Sequence, residues 1–187
     1  MLTEGLPAPD VDPDAVLMEQ AGSGSQEAFG KIVGRHQNGL LNFFVRMGAY
    51  SDAEDMVQET FLRVYKYRQR YRAGARFTTF LYVLARHVWA DGGRKSLRRD
   101  KLESRLEVDA AIAVEAAATD SSGDGMDVQA ALDRLSPKLR EALVLNVYHG
   151  MRYQEIADVL DIPLGTVKSR INLALQELRK VFDDRKG

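Results

Sequence analysis

The sequence predicts an all-α protein in which two small helical domains are joined by a flexible acidic linker. Apolar residues recur at steps of three or four through most of the chain, and no segment shows a convincing strand-like alternation. Between residues 101 and 125 the helical pattern weakens and the charged residues become mainly acidic. We therefore expect a disordered acidic N-terminal extension (1–22), a first domain (23–100), the linker (101–125) and a second domain (126–187).

The first domain contains three predicted helices. The residues before it are rich in proline, glycine and aspartate, which favours disorder. Ser23, followed three residues later by a glutamine, forms a possible capping box, and Ser51 with a following glutamate forms a clearer one. The third helix starts near Thr78, after a basic connection. Gly92 and Gly93 are expected to end or fray this helix.

The second domain is predicted to contain a helix-turn-helix in residues 153–171. Before it, Ser136 caps a helix that begins with Pro137. The motif consists of a short amphipathic helix, a tight turn and a second helix near Pro163, whose missing N–H is tolerated at a helix start. The buried face predicted for the second helix consists of Val167, Ile171, Leu175, Leu178 and Phe182.

The opposite face of that second helix carries short polar and cationic groups, which suit phosphates and base edges. These residues are Thr166, Lys168, Ser169, Arg170 and Asn172. An ordinary helical hairpin with a solvated polar face is the alternative interpretation. The agreement of the turn, the proline and the polar face favours a helix that enters a DNA major groove.

Charge is strongly segregated along the chain, although the net charge is only -1. Residues 61–105 contain thirteen Lys or Arg and three acidic residues, whereas residues 106–133 contain seven acidic residues and no basic one. Two basic regions separated by an acidic linker are typical of a nucleic-acid-binding protein with two contact surfaces. A solvated basic face is the alternative for the first region.

Composition disfavours several classes of protein. The sequence contains no run of about 18 apolar residues, so it predicts no membrane span. The N-terminus lacks the basic start and the apolar stretch of a secretory signal. Without cysteine there are no disulfides or thiolate metal sites. We expect a cytoplasmic protein without a metal or cofactor. A helical enzyme is disfavoured because the histidines are scattered and no Gly-rich phosphate loop precedes a helix.

The first domain carries a second set of candidate functional residues. An acidic and polar face on the helix after Ser51 offers a docking surface for a basic partner, although a solvated helix face is the alternative. Its members are Asp52, Asp55, Gln58 and Glu59. In the next helix aromatic rings occur among cations, a combination that can stack on unpaired bases and follow a single strand. Trp89 and His87 are its candidate exposed ligands.

Together these segments resemble a bacterial sigma factor of the minimal, two-domain, extracytoplasmic-function (ECF) class. The resemblance runs from about Phe29 to Lys180 and depends on AEDMVQETF (53–61) and EIADVLDIPLGTVKSRI (155–171), separated by the acidic linker. It implies a protein that binds core RNA polymerase, recognises the promoter -10 and -35 elements and promotes strand opening. It also implies control by an anti-sigma factor.

The resemblance assigns residues to three surfaces. Contact with the clamp helices of the largest polymerase subunit would involve Asp52, Asp55, Gln58, Glu59 and Phe61. Contact with the -10 element would involve Arg76, Arg86, His87, Trp89, Asp91, Arg94 and Lys95. Contact with the duplex -35 element would involve Arg152, Thr166, Lys168, Ser169, Arg170 and Asn172. The polymerase flap region is a further expected partner, and the acidic linker would pass near the RNA exit path.

The chain departs from the pattern of this family at three places. Phe80 stands where many relatives have tryptophan, and Asp91-Gly92-Gly93 stands where they often have a leucine-arginine turn, so both bear on the -10 contacts. Asp161 replaces the usual glycine of the turn, and Asp tolerates left-handed geometry better than most residues. A one-component helix-turn-helix regulator is the alternative function, although the last helix lacks a long heptad seam for dimerisation.

Overall fold

The computed structural model describes residues 12–72, 74, 76–103 and 124–183. Regular secondary structure in these ranges is entirely helical, which confirms the predicted all-α class. None of the helices within these ranges is both long and apolar enough to cross a membrane. In chain order they are α1 (Pro13–Gly22), α2 (Gln26–Arg46), α3 (Ala53–Tyr67), a short 3-10 helix (Arg68–Arg70), α4 (Phe77–Glu103), α5 (Asp124–Arg134), α6 (Pro137–Val147), α7 (Tyr153–Leu160) and α8 (Leu164–Asp183).

The prediction of disorder for residues 1–22 is wrong from Asp12 onward. Helix α1 packs along α2 and buries the Met18 side chain completely. The Asp12 carboxylate accepts one hydrogen bond from the Asp14 amide at the start of α1 (3.0 Å) and another from the Phe77 amide at the start of α4 (2.6 Å). One side chain thus caps two helices. These tertiary contacts order a segment whose local composition favours disorder, while the residues before Asp12 lie outside the described part of the chain.

Two helices of the first domain begin with a different capping group from the predicted one. The N-cap of α2 is Ser25, whose Oγ accepts a hydrogen bond from the Ala28 amide at 3.2 Å. The N-cap of α3 is Asp52, and the Ser51 hydroxyl donates to its carboxylate at 3.2 Å instead of capping a backbone amide. The sequence therefore locates each helix start to within a few residues, and the local backbone geometry decides which side chain caps it.

The prediction that Gly92 and Gly93 end the third helix is wrong, because α4 continues to Glu103. Gly92 lies against α3, where a Cβ added at its position would come within 2.5 Å of the Met56 Cε. The glycine allows α3 and α4 to approach each other closely. Helix packing at this point therefore outweighs the roughly 1 kcal/mol by which glycine disfavours a helix interior.

Most of the predicted linker, residues 104–123, lies outside the described residues. Residues at both its ends are helical, since α4 reaches Glu103 and α5 begins at Asp124. The predicted start of the second domain at residue 126 falls in the first turn of α5. Ser136 is the N-cap of α6 and Pro137 its first residue, as predicted, although the serine side chain makes no capping hydrogen bond.

The buried face of α8 follows a slightly different line from the predicted one. Val167 and Ile171 are buried as expected, but Leu175 is 47% exposed and Ala174 is buried in its place. With 3.6 residues per turn, a buried line runs through positions separated by four, three and four residues. The predicted pattern takes two steps of four in succession, from Val167 to Ile171 and then to Leu175. Its third position therefore lies one residue beyond the buried line of α8.

The two domains pack against each other through helices of both. Helix α4 contacts α7, and α2 contacts α6. Buried apolar residues of both domains form one continuous cluster, with Phe43 and Leu81 in the first domain and Leu143 and Ile156 in the second. Helix α4 consequently lies between the core of its own domain and the helices of the second domain.

Candidate nucleic-acid interface

Helices α7 and α8 have the geometry of a helix-turn-helix, as predicted. Asp161 ends α7 in the left-handed conformation (φ 53°, ψ 53°), which confirms that it can take the place of a glycine in this turn. The Ile162 amide donates to the Ala157 carbonyl at 3.1 Å, which closes the end of α7. The Thr166 amide donates to the Pro163 carbonyl at 2.9 Å. Proline thus precedes α8 at a position where no intrahelical N–H is needed.

The first turns of α8 present a polar face to solvent. Its exposed members are Lys168, Ser169 and Asn172, and its half-buried members are Thr166 and Arg170. The Ser169 hydroxyl donates to the Gly165 carbonyl at 3.0 Å. Arg152, the remaining predicted -35 residue, is exposed at the N-cap of α7, where its backbone amide donates to the Glu155 carboxylate at 2.7 Å. A DNA duplex can therefore reach most of the predicted -35 residues in this arrangement.

The predicted -10 residues of α4 occupy several different environments. His87 is exposed, whereas Trp89 is half-buried and packs against the core. The Asp91 carboxylate lies 3.1 Å from the guanidinium of Arg63 in α3, so it belongs to an ion pair between neighbouring helices. The side chains of Arg94 and Lys95 lie outside the described part of the structure. The structure thus places only part of this predicted set on an open surface.

Arg76 and Arg86 face acidic groups of the second domain. Arg76 Nε lies 3.4 Å from Glu155 Oε1 in α7, and Arg86 Nε lies 3.2 Å from Glu141 Oε1 in α6. Glu141 is only 6% exposed. Burial raises the pKa of Glu141, and the positive charges of Arg86 and Arg170 act in the opposite direction. Glu141 was not among the residues predicted from the sequence. The pattern that could have identified it is an acidic residue directly before a run of apolar positions in α6.

Tyr82 and His149 form another contact between the domains that sequence analysis did not assign. The Tyr82 hydroxyl and His149 Nδ1 are 2.7 Å apart, and the two ring centroids are 4.7 Å apart. Burial lowers the pKa of His149 to about 4, and the positive charge of Arg46 shifts it in the same direction. The imidazole is therefore neutral at pH 7, and its Nδ1 can accept a hydrogen bond that the Tyr82 hydroxyl donates.

The acidic face of α3 is exposed as predicted, but one further residue assigned to the polymerase-contact surface is buried. The exposed residues are Asp52, Asp55, Gln58 and Glu59. Phe61 is 7% exposed and belongs to the core, so the structure contradicts its assignment to a polymerase-contact surface. The neighbouring Leu62 is 65% exposed, and sequence analysis missed it. Its signal was an apolar position outside the buried stripe of α3.

Two family models match the chain, one in each domain. Sigma-70 region 2 matches residues 32–99, and Sigma-70, region 4 matches residues 125–178. The ECF RNA polymerase sigma factor SigE of Mycolicibacterium smegmatis is 32% identical over 178 residues, which cover 92% of this chain and 68% of the relative. The RNA polymerase sigma factor CarQ of Myxococcus xanthus is 34% identical over 171 residues, which cover 89% and 96%.

Two solved structures share the fold through both domains. The sigma factor RpoE from Bartonella quintana, solved in complex with the anti-sigma factor NepR, matches with a TM-score of 0.72 and 25% identity. The match covers 83% of this chain and 96% of RpoE. CnrH, solved in complex with the cytosolic domain of CnrY, matches with a TM-score of 0.69 and 26% identity, over 91% of this chain and 97% of CnrH.

A helix-turn-helix with an exposed polar face, joined to a helical domain that carries a basic helix, defines a DNA-binding protein of the sigma-70 class. Within that class, the chain belongs to the extracytoplasmic-function family of RNA polymerase sigma factors. It is a transcription initiation factor, and the resemblance seen in the sequence is confirmed. These matches do not favour the alternative of a one-component regulator.

Proposed function

We propose that this chain acts in the cytoplasm by binding core RNA polymerase and directing it to promoters with spaced -10 and -35 elements. The chain performs no chemistry itself, because the polymerase synthesises the RNA. The observation that carries the proposal is the exposed polar face of α8, the helix that follows the turn at Asp161. Helix α3 of the same chain presents a separate acidic face.

The -35 element is read as duplex by the N-terminal half of α8. A B-DNA major groove admits one α-helix, and cationic or amide side chains can hydrogen-bond its base edges. Lys168 and Asn172 are exposed at the positions that such a helix presents to the groove, and Arg170 lies beside them. Arg152 at the start of α7 is placed to contact the DNA backbone, which fixes the register of the protein on the duplex.

The -10 element is opened and held by α4. His87 is exposed on this helix, while Trp89 and Arg86 are half-buried close to it. Unstacking a base costs a few kcal/mol, so these few side chains cannot open a duplex unaided. Polymerase contacts must supply part of the free energy of strand opening. The isolated protein is therefore expected to bind DNA weakly.

Core polymerase docks on the acidic face of α3. Asp55, Gln58 and Glu59 lie one to two helical turns before the exposed Leu62 on the same side of α3, so an apolar side chain adjoins a charged and polar stretch. The chemistry fits a basic, helical surface such as the clamp helices of the largest polymerase subunit. We predict that Asp55→Arg abolishes co-elution with core polymerase, whereas Glu177→Arg, an equal charge change on the exposed surface of α8, leaves it intact. Normal co-elution of the Asp55→Arg protein would contradict this docking surface.

An anti-sigma factor controls the protein by covering its polymerase-binding face. The RpoE relative, whose structure matches through both domains, was solved with the anti-sigma factor NepR. The exposed Leu62 of α3 gives such a partner an apolar contact on the same surface that polymerase needs. The flap region of polymerase and the path of the acidic linker near the RNA exit complete the proposed set of contacts.

In vitro transcription tests the proposed function. Core polymerase is incubated with a fragmented genomic DNA library, with and without this protein, and the RNA 5′ ends are mapped. We expect new start sites that share -10 and -35 sequences at a fixed spacing. Specific DNA binding by the chain without any protein-dependent initiation would overturn the proposal.

A further inference from the structure

An exposed apolar side chain, Leu173, lies among the polar residues of the face of α8 that is proposed to enter the major groove. Lys168, Ser169 and Asn172 are exposed around it. Side chains three or four residues apart are neighbours on a helix surface, so Lys168 adjoins Asn172. Ser169 adjoins Leu173 in the same way. These four residues form one continuous surface, which we call the reading patch, and Leu173 is its apolar corner.

The reading patch faces away from the core of the second domain. The buried residues of α8 are Val167, Ile171 and Ala174. At about 100° of rotation per residue, the centre of the reading patch lies roughly 160° around the helix from this buried line. Leu173 itself lies roughly 130° away, whereas Leu175, which has a similar exposure (47% against 49%), lies only about 70° away. A position at the edge of the core therefore accounts for Leu175 but not for Leu173.

The chemistry of a leucine side chain restricts what it can recognise in a major groove. Base edges there present hydrogen-bond donors and acceptors, and thymine also presents its C5-methyl group. Leucine has no hydrogen-bonding group, so a donor or acceptor that it covers loses water without gaining a partner, which is unfavourable. Burial of the thymine methyl against leucine removes apolar surface of both groups from water, which is favourable. A leucine in the reading patch therefore favours thymine over bases without that methyl group.

We infer that Leu173 is a specificity-determining residue of this protein, which contacts the C5-methyl group of a thymine in the -35 element. The inference rests on the proposed role of α8 at that element. Lys168 and Asn172 supply polar contacts to phosphates or base edges, and these contacts hold the helix in the groove. Leu173 then selects the base at one position. It was absent from the residues assigned to DNA in the sequence because only the polar and cationic positions of α8 were considered there.

Replacement of thymine by deoxyuridine tests this contact, because it removes the methyl group and leaves base pairing unchanged. Cognate promoters come from the mapped RNA 5′ ends, and each thymine of the -35 element is replaced singly, on either strand, in a fluorescein-labelled promoter fragment. Fluorescence anisotropy gives the apparent Kd of the complex of core polymerase and the full-length protein for each fragment. Deoxyuridine at one position should weaken binding by about fourfold, as expected for the loss of one buried methyl group.

Two matched variants assign the effect to a side chain. Leu173→Ala removes the proposed contact, and Leu175→Ala is the control, because it makes the same change in the same helix at a similarly exposed position. Alanine is a strong helix former, so both variants should fold, which circular dichroism checks. Leu173→Ala should bind the unmodified promoter more weakly than wild type and should not respond to deoxyuridine at the sensitive position. Leu175→Ala should keep the full response, and the non-additivity in Leu173→Ala locates the contact.

Three results would overturn the inference: a Leu173→Ala protein that responds to deoxyuridine as wild type does, a response that is lost in Leu175→Ala instead, or a -35 element without thymine. Transcription from the unmodified promoter, run in parallel, separates this inference from the proposed function. Promoter-specific initiation without a methyl effect that depends on Leu173 would overturn the inference alone. Absence of protein-dependent initiation would overturn the proposed function and, with it, the inference.

Discussion

The two candidate DNA-binding surfaces differ in what surrounds their side chains. On α8, Lys168 and Asn172 are exposed and have no hydrogen-bond or ion-pair partner in the described part of the chain. On α4, Arg86 is paired with the buried Glu141, and Trp89 packs against the core. The duplex-reading surface is therefore preformed, whereas the strand-opening surface is partly engaged within the molecule.

This difference corresponds to the free-energy costs of binding a closed duplex and of capturing unstacked bases. Contact with a closed duplex requires no distortion of the bases, so a preformed and exposed helix face is sufficient. Capture of unstacked bases costs several kcal/mol and needs help from polymerase. A surface that becomes available only with polymerase bound would restrict strand opening to the complete enzyme. Substitutions on α8 and at the contacts of α4 with the rest of the molecule test this difference.

The largest effect is expected from removal of the cations on α8. Lys168→Ala with Arg170→Ala should lower transcription from a cognate promoter by about 10- to 100-fold or more, because a good base contact contributes roughly 1–3 kcal/mol. Co-elution with core polymerase should not change. The control is Arg179→Ala with Lys180→Ala, an equal charge change at exposed positions further along α8. Loss of polymerase binding in the first variant would contradict the separation of the two surfaces.

The second prediction concerns the pH dependence of the contact between the domains. The pKa of His149 is lowered from 6.5 to about 4 in the folded protein, so unfolding is accompanied by proton uptake between these values. The contribution of neutral His149 to stability is complete above pH 6.5 and decreases as the pH falls toward 4. By pH 5 the loss relative to neutral pH is about 2 kcal/mol.

Urea unfolding of wild type and His149→Gln at pH 7.5 and pH 5 measures this loss. Glu141 and the other titrating groups are present in both proteins, so the difference between them isolates His149. The variant should lose less stability on acidification than the wild type. An equal loss in both would show that His149 is already accessible to water and that the domains are apart.

The third prediction concerns the capping residue that joins α1 to α4. Asp12→Ala removes the side-chain acceptor at the start of two helices and should lower the free energy of unfolding by about 2 kcal/mol. Asp52→Ala is the matched control, because Asp52 is also an N-cap but its side chain makes no capping hydrogen bond. Chemical denaturation compares the two. Equal losses would rule out the double-capping role of Asp12.

The smallest effect is expected at the turn of the helix-turn-helix. Asp161→Gly should leave stability unchanged or raise it by up to about 1 kcal/mol, because glycine adopts the left-handed conformation without strain. Asp158→Gly in the neighbouring helix should lower stability by about 0.5 kcal/mol, because aspartate is itself a poor helix former. Thermal unfolding measures both changes. A destabilised Asp161→Gly protein would indicate a role for the carboxylate beyond its backbone geometry.

Features that depend on nearby residues could be predicted from the sequence. Helical periodicity gives the fold class, and the turn chemistry around Asp161 and Pro163 gives the helix-turn-helix. The exposed acidic face of α3 follows from the same periodicity. Each of these depends on residues within one or two helical turns of each other.

Features that depend on contacts between distant segments could not be predicted. The capping of α4 by Asp12 joins residues 65 positions apart, and the Tyr82–His149 contact joins residues 67 positions apart. Gly92 has the composition of a helix stop, but its contact with Met56 makes it a packing residue. Single-sequence patterns contain no information on which distant segments meet, so the ion pairs of Arg76 and Arg86 with the second domain are visible only in the folded arrangement.

Footprinting on a cognate promoter tests the central claim most directly. Hydroxyl-radical protection and permanganate reactivity of thymines are compared for the isolated protein and for its complex with core polymerase. The isolated protein should protect only the -35 element, and weakly, whereas the complex should protect both elements and make thymines of the -10 element reactive. Protection of the -10 element by the isolated protein would contradict the claim that the α8 surface is preformed and the α4 surface is partly engaged within the molecule.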